Sequence, residues 1–178
     1  MMKVRMRMMK KQNITLALIG LLTVGGQASA QMIGVVEQNG MTVTWRVMDE
    51  HIYFKLSAPT TGWLAIGFNE TKNLAGTYLL MTRVRNGEPE VIEHYTQSPG
   101  TYRPISDLGS EPSVGDVIGS QSRLSTTVEF SIPIKRVSKY HKELINGDPL
   151  NMLMAFSRHT DFQHHSIMRT SVRVNFNE

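Results

Sequence analysis

The chain has 178 residues, with 19 basic and 15 acidic side chains, six histidines and no cysteine. Without cysteine it forms no disulfide and offers no thiolate to a metal or to a c-type haem. Five of the nineteen bases crowd into the first eleven positions; without them fourteen bases face fifteen acids, a net of −1, so the formal +4 gives no support for nucleic-acid binding.

Residues 1–12 carry Lys3, Arg5, Arg7, Lys10 and Lys11 with no acid, and residues 14–24 form an apolar stretch of about eleven residues. That stretch is too short for a permanent span of the bilayer. Ala28-Ser29-Ala30 supplies the small residues of a cleavage site, so residues 1–30 are expected to be a signal peptide cut before Gln31. An N-terminal anchor helix is the alternative. The remaining 148 or so residues, 31–178, are enough for one domain with a hydrophobic core. They contain no repeat, no low-complexity tract and no second long apolar segment. The expectation is a soluble exported protein, periplasmic or secreted.

The period is two almost everywhere. In residues 42–47, Val43, Trp45 and Val47 alternate with Thr42, Thr44 and Arg46; after Asp49-Glu50, Ile52, Phe54 and Leu56 alternate with Tyr53 and Lys55. That pattern reads as a hairpin with one buried face. Pro59-Thr60-Thr61-Gly62 reads as a turn, and residues 63–68 as a central strand apolar on both faces. Residues 78–85 form a strand ended by Asn86-Gly87, a strong hairpin signal, with 90–95 as the return strand. Residues 97–115, rich in Pro, Gly and Ser, read as a long functional loop. A short strand at 117–119 and a firm one over 125–134 follow, then a segment with helical character at 135–145, stopped by Gly147-Asp148-Pro149. Residues 151–156 and 167–176 close the chain as strands. The sum is an all-β, antiparallel, immunoglobulin-like β-sandwich with at most one short helix.

Four of the six histidines fall between His141 and His165, and Asp161-Phe162-Gln163-His164-His165-Ser166 concentrates the polar chemistry. No nucleophile elbow, phosphate-cradling glycine loop or HExxH helix is present, so hydrolysis and nucleotide chemistry have no motif to rest on. Zinc or copper held by His159 with His164 or His165 is one reading. On a strand, however, adjacent side chains point to opposite faces, so His164 and His165 share an ion only in a loop. Trp45, Trp63 and Phe68 read as core rather than as a platform for a cofactor.

The strand Gly62-Trp63-Leu64-Ala65-Ile66-Gly67-Phe68-Asn69 resembles the "GW-aliphatic-A-aliphatic-GF" signature of DOMON domains. Gly119-Ser120-Gln121 with Thr126-Thr127-Val128-Glu129-Phe130, and Asp161 to Ser166 as "DF-x-x-H-S/T", are similar to the family's later motifs. The resemblance runs from about Thr42 to Phe176. It implies a β-sandwich that binds haem b or, in some members, a sugar-like ligand. In cytochrome-type members a methionine after the GF strand and a C-terminal histidine hold the iron, a pairing suited to electron transfer. Carried over, the histidine is His165, with His164 the alternative. Leu74 stands where the family has the methionine and has no donor, and Tyr78 replaces an acid. Met81, Lys72 and Tyr78 are the replacement second ligands within reach in sequence; ligation by His165 alone is the remaining option. Arg158 and Arg169 flank the histidines and suit haem propionates. The resemblance thus implies an exported haem b module for electron transfer or haem-linked redox sensing, without turnover of its own. A membrane cytochrome or a secreted oxidoreductase would be its partner. The alternatives are a haem-free DOMON domain that binds a carbohydrate or other small ligand, and a pure interaction module.

Overall fold

The computed structural model describes residues 33–177. The expected signal peptide lies outside the described residues. The strands are β1 (Ile33–Gln38), β2 (Met41–Met48), β3 (His51–Ala58), β4 (Leu64–Asn69), β5 (Tyr78–Arg85) and β6 (Glu88–Ser98). They continue with β7 (Thr101–Pro104), β8 (Gly115–Gln121), β9 (Thr126–Pro133), β10 (Leu150–Phe156) and β11 (Met168–Val174). One five-stranded sheet has the order β1-β2-β3-β9-β8, and one six-stranded sheet the order β11-β10-β4-β5-β6-β7. Every neighbouring pair is antiparallel. The chain is therefore the antiparallel sandwich that the period-two pattern predicts.

The interior is filled by alternate residues of both sheets. Phe54 packs against Phe68 at 5.6 Å and Phe130 at 5.7 Å between ring centroids, and Phe176 lies edge-on to Trp45 at 5.1 Å. The turn residues behave as their chemistry demands. Asn86 and Gly87 adopt φ of 56° and 85°, the left-handed pair of a tight hairpin.

β4 departs from one-sided burial, as its neighbours β5 and β10 largely do, and all six of its residues are buried. Leu64, Ile66 and Phe68 face the interior cluster, while Ala65 joins a second cluster with Trp63, Leu79, Met81, Ala155 and Phe162. Something covers the outer face of the six-stranded sheet, and that cover is the histidine segment.

Two expectations are corrected, and one strand is added to those expected. Residues 97–115 are not one loop: β7 pairs back on β6, and a short 3-10 turn at Ser106–Leu108 follows. The composition hid β7 because Pro104 and Gly100 belong to an edge strand and its turn, where neither is penalised. Residues 135–145 form no helix. The Ser138 hydroxyl accepts the Tyr140 N–H at 3.2 Å and meets His141 Nδ1 at 2.7 Å, local bonds that compete with helical ones. Finally, β1 precedes the first predicted strand; Asn39 and Gly40, with φ of 51° and 83°, form the turn that pairs it to β2. No helix among the described residues is long and apolar enough to cross a membrane.

Candidate functional site

The outer face of the six-stranded sheet holds a cleft of about 200 Å³. Its floor is apolar: Trp63, Ala65, Leu79, Met81, Leu153 and Ala155. His164, His165, Ser166 and Arg169 line its rim, with Leu74 and Thr77 at another side. Strand parity explains the floor. Trp63 and Ala65 alternate with the interior-facing Leu64 and Ile66, and Leu79 and Met81 alternate with Tyr78 and Leu80. Trp63 is thus corrected from interior core to cleft floor, whereas Trp45 and Phe68 do belong to the interior.

The segment from Ser157 to Ile167 crosses this face as a loop, so the strand rule that separates adjacent side chains does not apply to His164 and His165. Four side chains grip its main chain. Arg83 Nη1 donates to the Thr160 carbonyl at 2.9 Å, the Tyr102 hydroxyl to that of Phe162, Trp63 Nε1 to that of His164 at 3.2 Å and Ser157 Oγ to that of His165 at 2.9 Å. The Arg83 guanidinium also lies 4.3 Å over the Phe162 ring and pairs with Glu90 at 2.6 Å. A cation over an aromatic face adds about 1 kcal/mol to such a clamp. At the root of the loop, Trp63 N–H donates to His159 O and Ser157 N–H to Trp63 O, each at 2.9 Å. A Cβ at Gly62 would sit 2.3 Å from the Ser157 carbonyl oxygen, so only glycine admits this approach.

The imidazole of His165 makes no hydrogen bond or ion pair among the described residues. His164 Nδ1 lies 3.2 Å from Asp161 Oδ2, and its ring stacks on His159 at 4.1 Å and 17°. Asp161 is held below the ordinary carboxylate range, first by the Gln163 N–H and then by His164 and Arg83. Ring-nitrogen lone pairs lie in the ring plane, so stacked His159 and His164 do not converge on one ion. No three His, Cys, Asp or Glu side chains gather as a metal site among the described residues. The zinc or copper reading is therefore without a ligand set.

The proposed second ligands separate cleanly. Met81 is in the cleft floor at 2% exposure, and Leu74 lines the cleft. Lys72 lines an adjoining recess. Arg169 lines both, while Arg158 is exposed and borders neither. Tyr78 is on the opposite face of β5, inside the sandwich, and donates to the Glu93 carboxylate. Burial together with that carboxylate pushes its phenol well above its usual range, which excludes it as a phenolate ligand to the cleft.

Glu93 anchors a buried cluster. It accepts from Tyr78, from Ser113 N–H at 2.7 Å and Ser113 Oγ at 2.8 Å, and lies 3.5 Å from His141 Nε2. Burial alone would raise its carboxyl, but bonds from His141, Tyr78 and Ser113 outweigh it and hold the group below the usual range. Both ring nitrogens of His141 are engaged, which makes it a cross-link rather than a base.

The DOMON domain family model matches residues 37–157. The chain belongs to the DOMON domain family. MOXD1 homolog 2 of Drosophila melanogaster is 21% identical over 114 residues, which is 64% of this chain but only 15% of that protein. Two solved structures share the fold. The cytochrome b domain of pyranose dehydrogenase from Coprinopsis cinerea superposes with a TM-score of 0.60 at 10% identity, over 80% of each chain. The cytochrome domain of Myriococcum thermophilum cellobiose dehydrogenase gives 0.51 at 10% identity, over 82% of this chain and 83% of that one.

The match to the DOMON model ends at 157, before the histidine loop. In this DOMON domain the link between the two is physical: the signature glycine Gly62 is where the root of the loop presses on the sheet. Sequence reading missed Arg83, Ser157 and Tyr102, the side chains that fix the loop, and also His94. The His94 ring sits edge-on to Phe162 at 6.1 Å and Tyr102 at 5.4 Å. Burial holds it below the ordinary histidine range despite its bond to the Ile92 carbonyl. Parity from Met81 and Ile92 was the signal that would have placed Arg83 and His94 on the cleft side.

Proposed function

We propose that this DOMON domain is an exported electron-transfer module whose cleft takes haem b, with His165 as the iron ligand. The observation that carries the reading is the unpartnered imidazole of His165 at the rim of an apolar cleft, on a loop whose carbonyls are clamped to the sheet. The likeness in fold to the cytochrome domains of two dehydrogenases supports it.

The residues present fit the group in three respects. His165 is a nitrogen donor with no competing partner. The floor from Trp63 to Ala155 suits the apolar face of a macrocycle, and Arg169 at the rim suits a carboxylate. They do not supply the family's methionine, since Leu74 has no donor atom. Haem b, when bound, supplies a one-electron couple. The chain's own part is to present the imidazole, exclude water with the second apolar cluster and hold the loop still. Without a second donor at position 74, the site favours ligation by His165 alone and hence redox or ligand sensing beside electron transfer. A secreted oxidoreductase or a membrane cytochrome is the partner class this role requires. The domain itself is read as carrying no turnover chemistry.

Leu74 also favours a second reading, a haem-free cleft for a small ligand such as a carbohydrate. Titration with haemin separates the two. We expect a shifted Soret band for the wild type that is lost in His165→Ala; a wild type with no Soret shift overturns the haem reading.

A further inference from the structure

The two sheets leave four edge strands, β1 and β8 in one and β11 and β7 in the other. An edge strand presents unpaired N–H and C=O groups, and prolines, bulges and charges keep other chains from pairing with them. Three of these edges carry such a device. β7 is four residues long and ends in Pro104. β8 is broken by a bulge between Gly115 and Ile118, where Asp116 takes φ of 52°. β11 sets Arg169 and Arg173 on its exposed face. β1 has none of them: Ile33–Gln38 holds no proline, lysine or arginine and pairs with β2 in unbroken register. It also leaves two large aliphatic side chains in the open, Ile33 at 64% and Val35 at 65% exposure.

The hairpin turn decides which main-chain groups of β1 are free. Asn39 and Gly40, both left-handed, form a two-residue turn closed by the Gln38–Met41 pair. In such a hairpin the closing pair is hydrogen-bonded and every second residue repeats it, so Gln38, Val36 and Gly34 bond to β2. The N–H and C=O of Glu37, Val35 and Ile33 therefore point outward, and no main-chain partner meets them among the described residues. β1 is seated firmly enough to display them. The Trp45 ring lies so close to Gly34 that an added Cβ there would fall 2.1 Å from it.

These three outward residues are complementary to a second copy of themselves. About a two-fold axis at Val35, antiparallel β1 strands place Val35 opposite Val35 and Ile33 opposite Glu37. Each opposed pair exchanges two hydrogen bonds, so every outward group is satisfied. Opposite residues share a face, which puts the exposed aliphatic side chains of both strands together. Charge agrees as well. Ile33 would lie between Arg46 of its own copy, its partner across β1 and β2, and Glu37 of the second copy. Glu37 makes no ion pair within its own chain among the described residues.

We infer that β1 is a self-association edge, through which two copies of this domain join their five-stranded sheets into one, with Val35 on the two-fold axis. The cleft lies on the outer face of the other sheet, so the pairing is independent of what the cleft binds. One strand pair is narrower than the roughly 1,200 Å² of a standard interface, so a dissociation constant on the order of tens of micromolar is expected.

Sedimentation velocity of the purified protein over a concentration series tests this, with circular dichroism and Tm as the control for folding. The wild type should pass from monomer to dimer as concentration rises. Val35→Pro removes an N–H that faces outward and none that bonds to β2, so it should weaken association about tenfold or more with the fold intact. Val35→Lys and Val35→Glu should each do the same, because like charges would meet on the axis. An equimolar mixture of Val35→Lys and Val35→Glu should associate again, since opposite charges then meet there. A wild type that stays monomeric at every concentration overturns the inference and leaves the edge to some other extended chain. A dimer that survives Val35→Pro, or assembly beyond the dimer, overturns it too. Variants that dissociate alone and stay apart on mixing overturn the placement of Val35 on the axis.

Discussion

Ser157 and His165 are joined across eight positions by one bond: the buried Ser157 hydroxyl donates to the His165 carbonyl at 2.9 Å, while accepting the His159 N–H at 3.2 Å. The hydroxyl thus ties both ends of the histidine loop to the exit of β10. Ser157→Ala removes both bonds and should cost about 1–2 kcal/mol. Amide exchange over residues 159–166 should quicken severalfold while that of β2 and β3 is unchanged. Unchanged exchange in the loop would show that the other clamps suffice.

Gly62→Ala should destabilise the whole domain. The added methyl would lie 2.3 Å from Ser157 O and 2.6 Å from His159 N, both main-chain atoms that cannot swing aside. A cost of about 2–3 kcal/mol is expected, a fall of roughly 6–10 °C in Tm. Calorimetry of the variant checks it; a Tm within a degree of wild type refutes the contact.

Leu74→Met restores a thioether at the cleft lining and conserves volume, so it should cost less than about 1.5 kcal/mol. With haem loaded, the variant should show a six-coordinate low-spin spectrum and a higher potential than wild type. Met81→Leu should leave the spectrum as it was, because Met81 is 2% exposed and packs within the apolar floor. A spectral change on Met81→Leu would instead make Met81 the second ligand.

Stability should fall on acidification in two stages. His94 is held below 6.5 when folded, so its contribution is complete above 6.5 and is lost as pH falls through the folded value. Glu93 is held below 4.5, so its contribution is complete above 4.5 and lost at lower pH still. Tm measured from pH 7.5 to 4 should therefore decline below 6.5 and decline further below 4.5. His94→Gln should flatten the first stage alone.

The sandwich was legible because most strands bury one face, and one face leaves a period of two. Val43, Trp45, Ile52 and Phe54 needed nothing beyond alternation to be placed inside. The same rule misled at Trp63, where burial comes from a loop laid over the outer face rather than from the opposite sheet. His165 was singled out by its motif, and the structure sets it against the cleft. Its supports were not, since Arg83, Tyr102 and Ser157 act on carbonyls distant in sequence, and a carbonyl leaves no mark on residue type. Residues 135–145 looked helical in isolation. Ser138 and the buried His141 bind each other and the Glu93 cluster instead, a tertiary choice that overrides propensity.

The clamps on the histidine loop reach main-chain oxygens at positions 160, 162, 164 and 165, none of them a side chain of the loop. The shape of the loop therefore owes nothing to the imidazole at 165, whereas that of His164 also pairs with Asp161 and stacks on His159. Position 165 accepts a different donor, a thioether, a carboxylate or none, without redrawing the fold beneath. The same frame can thus be re-equipped one residue at a time, as a bench vice holds whichever tool is set in it.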